Sequence, residues 1–134
     1  MNDKPVQTLD ERIDAIESGY EFMLAYAAQG RDTDRGAGVS ASEVRDFLEA
    51  MDRALEGLGE AVKATAGAQD AEATERASEF LDAVDQDAKR AQGVIRLVLA
   101  QQAISSQLID NVNASIHLRA LLTDLFVLDE ALKN

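Results

Sequence analysis

The chain contains no cysteine, no tryptophan, one proline and one histidine. Without cysteine there is no disulfide framework, no thiol nucleophile and no thiolate metal site. A lone histidine, His117, excludes multi-histidine metal centres, and a histidine-dependent hydrolase is not expected. Aromatic residues make up 4% of the chain, so stacking platforms for single-stranded nucleic acid are not expected. Positive charge is also scarce: 13 Lys and Arg stand against 25 Asp and Glu, a formal net charge of −12. Phosphate backbones and anionic lipid surfaces are repelled by such a chain unless its bases cluster. They do not cluster, for Arg31 and Arg35 alternate with Asp32 and Asp34. No nucleic-acid partner is therefore expected.

Long hydrophobic runs are missing as well. The most apolar window, residues 94–109, is interrupted by Arg96, Gln101, Gln102, Ser105, Ser106 and Gln107. It is too polar and too short to cross a bilayer, so no membrane insertion is expected. The N-terminus, Met-Asn-Asp-Lys-Pro, is polar and no apolar stretch follows it. No signal peptide is visible there, and a cytoplasmic location is the default expectation.

What the chain does contain is unevenly spread. Residues 93–134 carry four acids and three bases, while the first 92 residues carry the other 21 acids and 10 bases. A helical segment that is apolar most of the way round has no good solvent face. The C-terminal third is therefore expected to be buried, with Leu97, Leu108, Leu121 and Leu125 hidden, beneath an acidic N-terminal coat. At 134 residues the chain is expected to be one domain, able to bury a core without staples.

The text reads as helix throughout. Its single proline, Pro5, precedes every periodic segment, and no stretch alternates like a strand. A first helix is predicted over residues 9–29, opened by a Thr8/Glu11 capping box and ended by Gly30. Leu9, Ile13, Ile16, Tyr20, Met23 and Ala27 form its apolar stripe. A glycine-containing loop over 30–39 follows. A second helix is predicted over 41–66, with Ser40 and Glu43 as a further capping box and Gly57 and Gly59 as weak points. The third helix starts near Asp70 and meets no strong breaker until residues 110–115. That makes it about 40 residues, roughly 60 Å. Asn111 or Asn113 is expected to cap a fourth, apolar helix. The fold class is thus all-α, an antiparallel four-helix bundle with a long third helix. A stripe that long outreaches its partners in one chain, so either it breaks near Gly93 or a second copy covers the remainder; a homodimer is the preferred expectation, with two-fold symmetry the commonest solution.

No motif carries strong chemistry. Asp32, Asp34, Val39, Ser40 and Glu43 stand at positions one, three, eight, nine and twelve of a segment that resembles an EF-hand calcium loop. The resemblance implies Asp32, Asp34, Ser40 and Glu43 as oxygen ligands for a hard cation. The segment departs from the pattern at Ala37, where glycine makes the turn, at Gly36, where a side chain ligates, and at Gly30-Arg31, where the entering helix carries an aromatic. A surface loop ending in a capping box explains the same residues. Ser115-Ile-His117-Leu-Arg119 superficially resembles the phosphoacceptor boxes of histidine phosphotransfer and kinase dimerisation domains. That implies His117 as acceptor and requires it to be exposed, whereas the surrounding text predicts an apolar helix. Bundle di-metal sites need Glu-x-x-His, and Ala114 stands where the glutamate belongs. The carboxylates read as a solvated coat, and neither a catalytic residue nor a cofactor is expected.

Two features point to a partner. Gln101 with Ser105, and Gln102 with Ser106, are spaced to make an uncharged polar strip on one helix. Tyr20 and Tyr26 bracket an apolar run that overflows a single stripe. Tyr20, Tyr26, Gln101, Gln102, Ser105, Leu108 and Val112 are thus the interface candidates. The expected function is a non-catalytic protein–protein interaction module, an adaptor, regulator or chaperone-like accessory protein. Small acidic secretion chaperones are similar in size, charge and helicity. The alternative is a signalling module acting through the 32–43 loop or through His117.

Overall fold

A computed structural model describes residues 7–35, 39–69 and 71–133. Among these residues there are seven helices and no strand: α1 (Leu9–Ala27), α2 (Val39–Leu55), α3 (Leu58–Gln69), α4 (Ala71–Arg76), α5 (Ser78–Leu99), α6 (Ser106–Asn113) and α7 (Ile116–Lys133). The all-α class expected from composition is what the chain adopts.

Local chemistry explains the start of α1. Thr8 Oγ1 accepts from the Glu11 N–H (3.1 Å) and Glu11 Oε1 accepts from the Thr8 N–H (2.8 Å). This is the reciprocal capping box read from the sequence. These bonds to Thr8 also hold the Glu11 carboxyl below its ordinary value. Ile13, Ile16 and Met23 from the predicted stripe are buried, and Gly30 adopts φ +65° just beyond the helix end.

The second predicted helix is two. It breaks at Gly57, whose φ of +73° is a left-handed conformation that side-chain-bearing residues avoid. The freed carbonyls of Ala54 and Glu56 accept from Arg12 Nη1 of α1, a tertiary substitute for an ordinary C-cap. Gly59 lies inside α3, where an added Cβ would collide with Asp85 of α5. The glycine there admits a close neighbour, while the one two residues earlier turns the chain.

The long third helix is not formed. Residues 71–113 are divided among α4, α5 and α6 by a turn at Ala77 and a non-helical stretch over 100–105. Ala100 shows no local breaker. What ends α5 is distant: Arg45 of α2 donates to the carbonyls of Leu99 (3.2 Å), Gln101 (2.7 Å) and Gln102 (3.2 Å). Ser105 then caps α6, its Oγ accepting from the Leu108 N–H (3.0 Å). At 22 residues α5 exceeds the 19 residues of α1 by only three. Asn113 does not cap α7 either; its Nδ2 donates to Met23 O (3.2 Å) from a buried position.

Packing follows the stripes. α1 lies on α2 and α6, and α5 lies on α2, α3 and α7. One hydrophobic cluster runs through them, including Ile16, Met23, Leu48, Met51, Leu58, Ile95, Ile109, Leu121 and Leu125. Phe22 of α1 stacks on Phe47 of α2 with ring centroids 4.3 Å apart. Arg96 of α5 ties down the end of α2 through Asp52 (2.8 Å) and Glu56 (2.9 Å).

Candidate functional site

The loop after α1 is built around a buried carboxylate. Asp34 is almost fully enclosed, and Arg45 Nε lies 2.5 Å from its Oδ2. Its Oδ1 accepts from the Ile104 N–H (2.8 Å). Burial alone would push this carboxyl up, but the Arg45 guanidinium and the Ile104 N–H outweigh it and hold the carboxyl below its ordinary value. Arg35 Nε donates to Gln102 O (2.7 Å). The Ser106 N–H donates to Arg31 O (2.8 Å), and Ser106 Oγ accepts from the Arg31 N–H (2.8 Å) while donating to Tyr26 O (2.7 Å). Two loops distant in sequence are thereby clasped by side chains from 31–45.

This clasp redistributes the residues singled out from sequence. Of the cation set, Asp32 is exposed, Asp34 is spent on Arg45, Glu43 is half-buried, and the Ser40 side chain, with Gly36 and Ala37, lies outside the described residues. No cluster of three or more His, Cys, Asp or Glu able to hold a metal occurs among the described residues. Tyr26 is fully buried and its hydroxyl donates to Ile104 O (2.7 Å). Burial first, and the Asp34 charge second, push its phenol up. Gln101 and Gln102 are exposed in the 100–105 stretch, so the expected polar strip on a single helix does not exist. Ser105 is a cap, Val112 is core, and Tyr20 and Leu108 are half-buried.

The unsatisfied surface lies elsewhere. Leu121 and Leu125 are buried as expected, but Leu97 is 62%, Ile116 75%, Phe126 57% and Val127 52% exposed. Three of these four lie on α7. Leu118, Leu121, Leu122, Leu125 and Leu128 point the other way, into the core. The helical repeat then turns Ile116, Ala120, Thr123, Val127 and Ala131 outward as one stripe. An open recess of about 510 Å³ is lined by Ala114, Ile116, Arg119, Ala120, Thr123 and Asp124. His117 is exposed, contrary to the buried position its apolar neighbours suggested. Sequence periodicity held a signal for this face: α7 has more apolar residues than one core stripe can use.

Beside that face, Asp124 of α7 meets Asp87 of α5. Burial first, and then the hydrogen-bonded Asp87 carboxylate, push Asp124 up to about 7. Asp124 Oδ2 is buried with no donor while both groups are ionised, so the pair is satisfied only when it shares a proton. Because the folded value lies above the unfolded one, this contribution to stability is complete only below the ordinary value of 3.8. It is lost as pH rises through about 7. Asp124→Asn should therefore be more stable than the parent at pH 8 and keep only a smaller part of that advantage near pH 5. The difference should be about 1 kcal/mol once solvent screening of this partly exposed group is allowed for. Parallel urea titrations at the two pH values read it; an unchanged difference between them would remove the shared proton.

With this geometry in place, comparison with known proteins adds no relative: no family model, curated protein or solved structure matches the chain. No helix among the described residues is long and apolar enough to cross a membrane.

Proposed function

We propose that the chain is a non-catalytic, acidic helical protein–protein interaction module, an adaptor, regulator or chaperone-like accessory protein, working as a homodimer. In this reading the four longest helices, α1, α2, α5 and α7, make an antiparallel bundle that displays α7. The observation that carries it is the outward apolar stripe of α7, with Ile116 three-quarters exposed. Isolated exposed apolar residues need no explanation, but a continuous set on one helix in a charge-poor region marks an interaction surface. Affinity capture from the native host tests this. Wild type should retain a partner that Ile116→Asp/Val127→Asp loses while its melting temperature holds. Identical captures by both chains would overturn the reading.

The calcium alternative would have to displace Arg45 from Asp34. Millimolar calcium is accordingly expected to leave the melting temperature unchanged. A rise that Glu43→Gln abolishes would restore the sensor. The phosphotransfer alternative has one observation in its favour, the exposure of His117. Acid-labile phosphate on the native protein, absent from His117→Gln, would support it; its absence from the native protein would remove it.

A further inference from the structure

We infer that a second copy of this chain packs antiparallel against the outward stripe of α7, across a two-fold axis near its centre. The inference rests on the interaction reading above and names the occupant of that face. Three observations carry it. The first is shape along the helix. Ile116, Ala120, Thr123, Val127 and Ala131 recur at steps of four, three, four and four, a seam of the kind paired helices bury. The small residue Ala120 and the larger Val127 lie symmetrically about the middle, so an antiparallel copy sets small against large twice. Ile116 meets Ala131 of the second copy in the same way.

The second is charge. Arg119 and Glu130 are exposed on the same flank of the stripe, eleven residues and about three turns apart. Reversing the direction of the second helix brings Arg119 of each copy to Glu130 of the other. In a parallel copy this flank would face the opposite flank of the second helix, and the Arg119–Glu130 pairs would not form. The third is the rest of the surface. With a net charge of −12 overall but three acids against two bases within α7, a second copy meets less repulsion at this helix than over the chain as a whole. An isologous contact needs one self-complementary patch, and this face meets that requirement.

The size of the contact sets its strength. Residues 116–131 of α7 span about 23 Å, so one helix pair gives an interface at the small end of the specific range. Association should therefore be micromolar and visible as concentration dependence.

Sedimentation equilibrium on the purified full chain, from low to high micromolar, tests it. Wild type should move from the mass of one chain to that of two. Val127→Asp should stay monomeric with an unchanged melting temperature. Arg119→Glu and Glu130→Arg should each weaken association by about five- to tenfold, since every exposed pair is counted twice by symmetry. The double variant Arg119→Glu/Glu130→Arg should recover it, a restoration that a general charge effect does not produce. A wild type that stays monomeric throughout overturns the inference, as does a dimer indifferent to Val127→Asp or a double swap no better than the singles. A monomeric chain that still captures a partner through Ile116 and Val127 overturns the second copy, and the homodimer with it, while leaving the interaction module itself standing.

Discussion

Replacing Arg45 by methionine is expected to cost about 3 kcal/mol of stability, the low end for breaking a buried ion pair because the guanidinium is partly exposed. At this chain length that corresponds to a fall in Tm of about 10 °C. The loss has two sources. Asp34 keeps its charge in an enclosed site with only the backbone N–H groups of Ile104 and of Asp34 itself opposing it, and an unpaired buried charge is far more costly than a paired one is beneficial. The carbonyls of Leu99, Gln101 and Gln102 also lose their donor, so the end of α5 frays toward water. The variant should show an inverted acid response. In wild type the Asp34 carboxyl is held below its ordinary value of 3.8, so its contribution is intact at neutral pH and fades only as pH falls below that range. Without Arg45, burial dominates, the carboxyl rises, and mild acid should stabilise the variant by neutralising it. Adding Asp34→Asn should recover part of the loss, since the orphaned charge is gone. Urea denaturation of the single and double variants at pH 7 and pH 5 measures all three effects. A single variant within 1 kcal/mol of wild type, a magnitude typical of a solvent-exposed pair, would show that Arg45 is not what holds this junction.

Gly19→Val is expected to destabilise by about 3 kcal/mol, at the upper end of overpacking costs. Gly19 is buried on α1, and a Cβ built there collides with Cγ and Sδ of Met51 on α2. Met51 is itself fully buried, so its sulfur has no open space to move into. A β-branched side chain adds bulk at the Cβ, where the helices are closest, and its restricted rotamers give little relief. The helices must then separate or α1 must shift, and α1 also carries the contacts to α6. Met51→Ala alone leaves a cavity and should cost about 2–4 kcal/mol. Combined, Gly19→Val/Met51→Ala roughly conserves volume, and its loss should be well below the sum of the singles. Thermal melts of the three variants give the coupling energy directly. Strict additivity would mean that the two side-chain positions do not share one space.

How much of this was legible in the sequence differs from element to element. The Thr8/Glu11 box lies within four residues, so its reciprocal bonds could be read before any tertiary structure was known. Gly57 and Gly59 show the limit. Both stand in the same short text and both lower helix propensity, yet one turns the chain and the other sits within α3 against Asp85. Their roles diverge because Arg12, more than 40 residues earlier, meets the carbonyls freed at the first. The 100–105 stretch is a stronger case. Gln101, Gln102 and Ser105 have the spacing of a helical strip, and nothing local rejects it. Ser105 as an N-cap was the one available signal. Similarly, the loop carboxylates resemble cation ligands as a string, but Asp34 has a guanidinium for its neighbour in space.

Alone, the sequence determined that this chain is helical, where its apolar stripes run and how α1 begins, because periodicity and capping are properties of near neighbours along the backbone. Only the tertiary structure decided where the long segments break, that Asp34 pairs with Arg45, and that Ile116, Phe126, Val127 and His117 lie on the surface of the single chain. Those outcomes depend on donors, charges and surfaces brought together from distant parts of the chain, and short-range patterns carry no information about which of them will meet.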